Sequence, residues 1–100
     1  MSPIEQGDIC AIENLKDPVL IVSKNFFNRT EAVIACPIVA HAPADPLHLP
    51  VRAGSCSGYV LCEHVRFLDM KVRGYTRIAS LPTGDLLNIL DAIQGIFDYY

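Results

Sequence analysis

Pro18-Val19-Leu20-Ile21-Val22-Ser23 is the stretch whose reading decides the fold. Val19 to Val22 are apolar on both alternating faces and rich in β-branched side chains, which suits a short central strand buried from both sides. On its N-terminal side, Gly7-Asp8 has the chemistry of a turn that launches a strand over Ile9–Ile12, with a brief loop before Pro18. On its C-terminal side, Asn25-Phe26-Phe27-Asn28-Arg29-Thr30 has turn formers at both ends. The apolar run Ala32–Cys36 follows, which should pair with the first run, and Pro37 should push it towards an edge or a bulge.

Farther out, Ala40 to Ser57 carries Pro43, Pro46, Pro50 and Gly54 and reads mostly as loop. Within it Leu47-His48-Leu49-Pro50-Val51-Arg52 alternates, placing Leu47, Leu49 and Val51 towards the core and His48 and Arg52 on the wetter side of an edge strand. Tyr59 to Leu68 reads as the longest strand. Tyr59, Leu61, Glu63, Val65 and Phe67 fall on one face, and Val60, Cys62, His64, Arg66 and Leu68 on the other. Gly74 opens a last strand over Tyr75–Ala79, and Ser80-Leu81-Pro82-Thr83-Gly84 forms a helix entrance. From Asp85, Leu86, Leu90, Ile93 and Phe97 recur at helical spacing. Leu87, Ile89 and Ile96 widen that stripe, so one face is expected to cover the sheet and another to meet a two-fold mate.

One hundred residues suffice for one core and not for two, so residues 1–100 are read as a single domain, mainly β with a C-terminal helix. With 51% hydrophobic and 19% charged residues the chain should fold, and so much apolar surface on so small a domain points to a homodimer. The net charge of -3 argues against a broad nucleic-acid footprint, so any RNA contact is expected to be local. No apolar run approaches the length of a membrane span and no secretory leader is evident, so a cytoplasmic protein without membrane contact is expected. Cys10, Cys36, Cys56 and Cys62 include no Cys-x-x-Cys pair, and Cys10, Cys36 and Cys62 lie in apolar runs. Reduced thiols are expected, with no metal and no cofactor.

Taken in order, Gly7-Asp8-Ile9, Pro18 to Ser23, Ala35-Cys36-Pro37-Ile38, Gly58 to Asp69 and the Leu-Pro turn before an apolar helix resemble the MazF/PemK family of toxin–antitoxin ribonucleases over nearly the whole chain. The resemblance implies a small SH3-like barrel of the MazF/PemK/CcdB type and a homodimer restrained by an antitoxin peptide. It also implies metal-free cleavage of single-stranded RNA by 2′-hydroxyl transesterification. Two positions depart from the family pattern. The arginine usual before the proline of the second strand is Asp17, and the threonine usual after the Cys-Pro-Ile motif is Val39. A carboxylate at the first repels phosphate and an isopropyl group at the second offers no hydroxyl. The loop Glu13 to Asp17 is also shorter than the family's.

Where that family carries an acid, a glutamine and then a basic residue, this chain has Glu63, His64 and Arg66. These are the expected catalytic residues: a carboxylate, an imidazole that titrates near neutral pH, and a guanidinium that can hold a phosphate. Arg52, Lys16 and His48 are the expected RNA contacts, with His41 a further candidate beside the Pro-rich loop. The structural alternative for Glu63, His64 and Arg66 is an internal charge pair beside a satisfied histidine. Two other functions compete with the nuclease reading. One is a non-catalytic dimer that captures an antitoxin-like peptide or nucleic acid, and the other is a CcdB-like gyrase inhibitor acting through the terminal helix.

Overall fold

The structure, a computed structural model, describes residues 3–97; residues 1, 2 and 98–100 of the expected domain lie outside it. Seven strands and two helices follow in order: β1 (Asp8–Ile12), β2 (Val19–Ile21), α1 (Asn25–Asn28), β3 (Ala32–Val39), β4 (His48–Ala53), β5 (Cys56–Leu61), β6 (Arg66–Asp69), β7 (Tyr75–Ser80) and α2 (Thr83–Ile96). The strands form one curled, half-barrel sheet in the order β4-β5-β3-β2-β1-β7, with β6 also paired to β3. Every pairing is antiparallel.

β2 has the double burial expected of it. Leu20 faces a cluster that includes Ile9, Cys36, Val60 and Ile89, and Val19 and Ile21 face a second cluster with Cys10, Val33, Leu68 and Met70. Helix α2 closes the first cluster, seating Leu86, Ile89, Leu90 and Ile93 against the sheet and leaving Leu87, Ile96 and Phe97 exposed. The expected turn at Asn25 is a single helical turn. The buried Asn28 side chain donates to the Ser23 carbonyl at 3.0 Å and accepts from the Ser23 hydroxyl, tying the turn to the end of β2. At the same end of the sheet the buried Asp8 carboxylate accepts from Arg77 Nε (2.8 Å), the Glu5 amide (2.8 Å) and the Ser80 hydroxyl (3.1 Å), so Gly7-Asp8 clamps β1 to β7.

Three features differ from the sequence expectation, each for a physical reason. Pro37 lies inside the central strand and not at an edge, and the bulge expected as the alternative forms in the strand opposite it. Ile38 donates to the Pro18 carbonyl and Val22 to that of Ile34, so the even positions of β3 point at β2, and the missing N–H of Pro37 points to the opposite side. On that side the long strand expected over Tyr59–Leu68 breaks into β5 and β6. Val60 pairs with Ile38 and Arg66 with Ala35, so only Cys36 and Pro37 of β3 stand opposite Leu61, Cys62, Glu63, His64 and Val65. The surplus residues loop out in a turn closed by the His64 amide and the Leu61 carbonyl. Glu63 and His64 therefore stand together on a protruding turn and not on opposite faces of a strand. Lastly, residues 40–47 are loop as read, but the stretch after the edge strand, read as loop up to Ser57, belongs to a hairpin. Gly54, at φ 57°, and Ser55 join β4 to β5, with Ala53 opposite Cys56.

Gly58 sits where β5 crosses the end of β3, and a Cβ there would lie 2.4 Å from the Val39 carbonyl oxygen. Because the obstacle is backbone, Gly58→Ala is expected to prise β5 from β3 and destabilise the fold by ~1–3 kcal/mol, read as a lower urea midpoint with circular dichroism.

Candidate active site

The hairpin pairs His48 with Leu61, Pro50 with Tyr59 and Arg52 with Ser57, so these six side chains share its outer face. Val51, Ala53, Cys56 and Val60 occupy the inner face and are buried in the core. The segment after β3, Ala40 to Leu47, runs back over the outer face. Ala40 and His41 meet Pro50, Arg52, Ser57, Gly58 and Tyr59, and with Asp85 at the start of α2 they line an open groove of about 600 Å³. That volume is within the range of small-molecule pockets. Arg52 is exposed in the groove, and among the described residues it joins no ion pair.

At the other end of the strip His48 is held from two sides. Its Nδ1 lies 2.7 Å from the Pro43 carbonyl and its Nε2 lies 2.7 Å from Glu63 Oε2. A carbonyl and a carboxylate both only accept, so both contacts are hydrogen bonds only when both ring nitrogens donate, that is, in the imidazolium form. The bond to the Pro43 carbonyl, then the one to Glu63, raises the His48 pKa above the ordinary imidazole value. The His48 hydrogen bond holds the Glu63 carboxyl below its ordinary value. His64, with 57% of its side chain exposed, places Nε2 3.9 Å from the same Glu63 oxygen. Buried thiols lie under this corner. Burial pushes Cys36 up to about 12 and Cys62 up to about 11, so neither is a nucleophile at neutral pH.

The residues singled out in the sequence thus divide. Glu63, His64 and His48 come together, and Arg52 shares their face. With both nitrogens engaged, His48 has none free for a phosphate. Arg66 lies past the turn on β6, opposite Ala35, and among the described residues forms no ion pair with Glu63. Lys16 is exposed in the β1–β2 loop. Beside it, extending the register of Val19 with Pro37 by two residues sets Asp17 opposite Val39, one residue before the groove-lining Ala40. Ser57 and Tyr59 were missed because the Gly54-Ser55 hairpin went unread. That dipeptide is a two-residue hairpin signal, and it would have mirrored His48, Pro50 and Arg52 onto Leu61, Tyr59 and Ser57.

Residues 6–97 match the family described as PemK-like, MazF-like toxins of type II toxin–antitoxin systems. The chain belongs to this family. A search of curated proteins returns no match. Among solved structures, the PemK/MazF fold recurs in a MazE-MazF crystal structure from Deinococcus radiodurans (23% identity, 100% of each chain covered, TM-score 0.87). It recurs in an endoribonuclease from a mycobacterial species (21% identity, 97% of this chain and 93% of that one, TM-score 0.83). A mycobacterial endoribonuclease in complex with its cognate antitoxin also matches (20% identity, 97% and 99% covered, TM-score 0.75).

The pair makes stability depend on pH with a definite sign. The contribution of His48 is fully present below the ordinary imidazole pKa and is lost as pH rises through the raised one. That of Glu63 is present above the ordinary carboxyl pKa and is lost as pH falls through the lowered one. The stability difference between the native chain and His48→Ala is therefore expected to be greatest between those two limits and to shrink on either side, as thermal melts across that range would register.

Proposed function

We propose that this PemK/MazF member is the toxin of a toxin–antitoxin pair. It acts in the cytoplasm as a homodimer that cleaves single-stranded RNA and is restrained by an antitoxin peptide. The observation that carries the reading is that His48, Glu63 and His64 meet at one end of the outer face of the β4–β5 hairpin, with Arg52 and His41 lining the groove farther along it. Family membership and the names of the mycobacterial structures point the same way.

Transesterification needs a base for the ribose 2′-hydroxyl, charge stabilisation at the phosphate, and an acid for the departing 5′ oxygen. Glu63, kept ionised by His48, serves as the base, and the exposed imidazole of His64 serves as the acid. Arg52, four residues along β4 from His48, holds a phosphate farther along the RNA strand in the groove, with Lys16 at its Asp17 end and Arg66 beyond the turn as further cationic contacts. Side chains supply every proton transfer, so the reaction proceeds without a metal or cofactor. The work of the family's arginine and threonine passes to this face, because Asp17 and Val39 cannot perform it.

The test is incubation of the purified, nuclease-free protein with a long single-stranded RNA in EDTA. Discrete products would support the nuclease; no products from folded dimer at high concentration would leave an antitoxin-binding module. Arg52→Ala is expected to weaken RNA binding and to reduce the slope of log affinity against log salt by ~0.7, the value for one phosphate contact on a single strand, measured by fluorescence anisotropy over a salt series.

A further inference from the structure

The segment Ala40–Leu47 is a partial roof to the groove: Ala40 and His41 line it. The Cys62 amide donates to the Leu47 carbonyl at 2.9 Å, and few bonds hold the residues between. Within the segment the Leu47 amide donates to Asp45 Oδ1 (2.8 Å) and the His48 amide to the Asp45 carbonyl (3.0 Å), which shapes its last turn but does not hold Ala40 to Ala44 down. The side-chain bond from the roof to the floor strand is the one between His48 Nδ1 and the Pro43 carbonyl. We propose that His48 is a positioning residue: as the imidazolium it latches the Ala40–Leu47 segment over the groove, and on losing a proton it releases that segment. The latch refines the groove's role in the nuclease reading but rests on geometry that a non-catalytic protein would share.

Release follows from donor counting. A neutral imidazole has one N–H for two acceptors. A charge-assisted bond to a carboxylate is roughly twice as strong as a neutral one, so the remaining proton stays on Nε2 facing Glu63. The Nδ1 lone pair then confronts the Pro43 carbonyl oxygen, and the roof lifts. The charged groups facing His48 are Glu63 and, behind it, His64 on the turn after β5, and Asp45 on the roof; on β4 itself the nearest is Arg52, four residues along. Both carboxylates favour the closed, cationic state, which places release on the alkaline side of the ordinary imidazole range. His41 travels with the roof, so the width of the groove around Arg52 and the position of one histidine change together.

Backbone ¹⁵N relaxation of Ala42, Ala44 and Asp45, with the His48 ring followed by NMR from about pH 6 to about pH 9, tests this without RNA. In the native chain the order parameters should fall from near ~0.85 towards ~0.6 or less as His48 titrates. His48→Ala should give low values at every pH. Glu63→Gln should keep them high throughout, because the introduced side-chain amide can donate to a neutral Nε2 while Nδ1–H stays on Pro43. Order parameters that are flat through the His48 titration, or equal in His48→Ala and the native chain, would overturn the latch. A parallel KM and kcat series on RNA should show KM changing at the same pH. A chain that moves its roof but cleaves nothing would sink the nuclease reading and leave the latch standing.

Discussion

Glu63→Gln is expected to slow RNA cleavage by ~10²–10⁴-fold, the usual contribution of a positioned general base. The exchange is close to isosteric, and the amide oxygen can still accept from His48 Nε2, so the turn that carries Glu63 keeps its anchor. What is lost is the ability to take a proton. His64→Ala should cost a comparable factor by removing the acid, and since both residues serve one proton relay the double variant should be little worse than either single one. The His64 side chain is exposed and makes no hydrogen bond among the described residues beyond its approach to Glu63, and alanine keeps the amide that bonds Leu61, so the melting temperature should be unchanged. Initial rates on a long RNA, with circular dichroism alongside, decide the matter. Undiminished cleavage by both variants would move the chemistry away from this turn, towards the Asp17 and Val39 end of the groove.

Leu20→Ala is expected to destabilise the fold by ~2–5 kcal/mol. Leu20 is fully buried at the middle of β2, between Ile9 of β1 and Cys36 of β3, and the cluster it joins extends to Ile89 of the covering helix. Strands on both sides hold the backbone in register, so the neighbours cannot collapse into the space and a cavity remains. Against a typical total of ~5–15 kcal/mol for a small domain, the variant should melt roughly 4–8 °C lower per kcal/mol lost. Differential scanning calorimetry at fixed protein concentration would measure it, and a shift of only a degree or two would show that β2 is not the centre of the core.

The candidate site was legible in part. Glu63 and His64 could be named because their place in a recognisable order of strands is occupied by residues with useful protonation chemistry. Arg52 could be placed on the wet face of an edge strand by strict alternation. Arg66 was grouped with Glu63 and His64 because the family carries a basic residue shortly after its acid and glutamine, whereas the turn set them on separate elements. His48 stood fifteen residues from Glu63 as a solvent-facing side chain, and nothing local says that its ring would lie between a carboxylate and a carbonyl.

By itself the sequence determined the core and the class of fold. The two-faced burial of β2, the alternation along β4, the helical stripe of α2 and the order of motifs that marks the PemK/MazF family all follow from side-chain periodicity, which is a local property. Only the tertiary structure decided where the long strand would break, because the break answers the missing N–H of Pro37 more than twenty residues away on a neighbouring strand. It alone decided that the surplus residues of that break would carry Glu63 to His48, and that Pro43 would close over both. Backbone hydrogen bonding between strands is satisfied pair by pair across the sheet, so a missing donor in one strand shapes its partner, and no window along a single chain contains both.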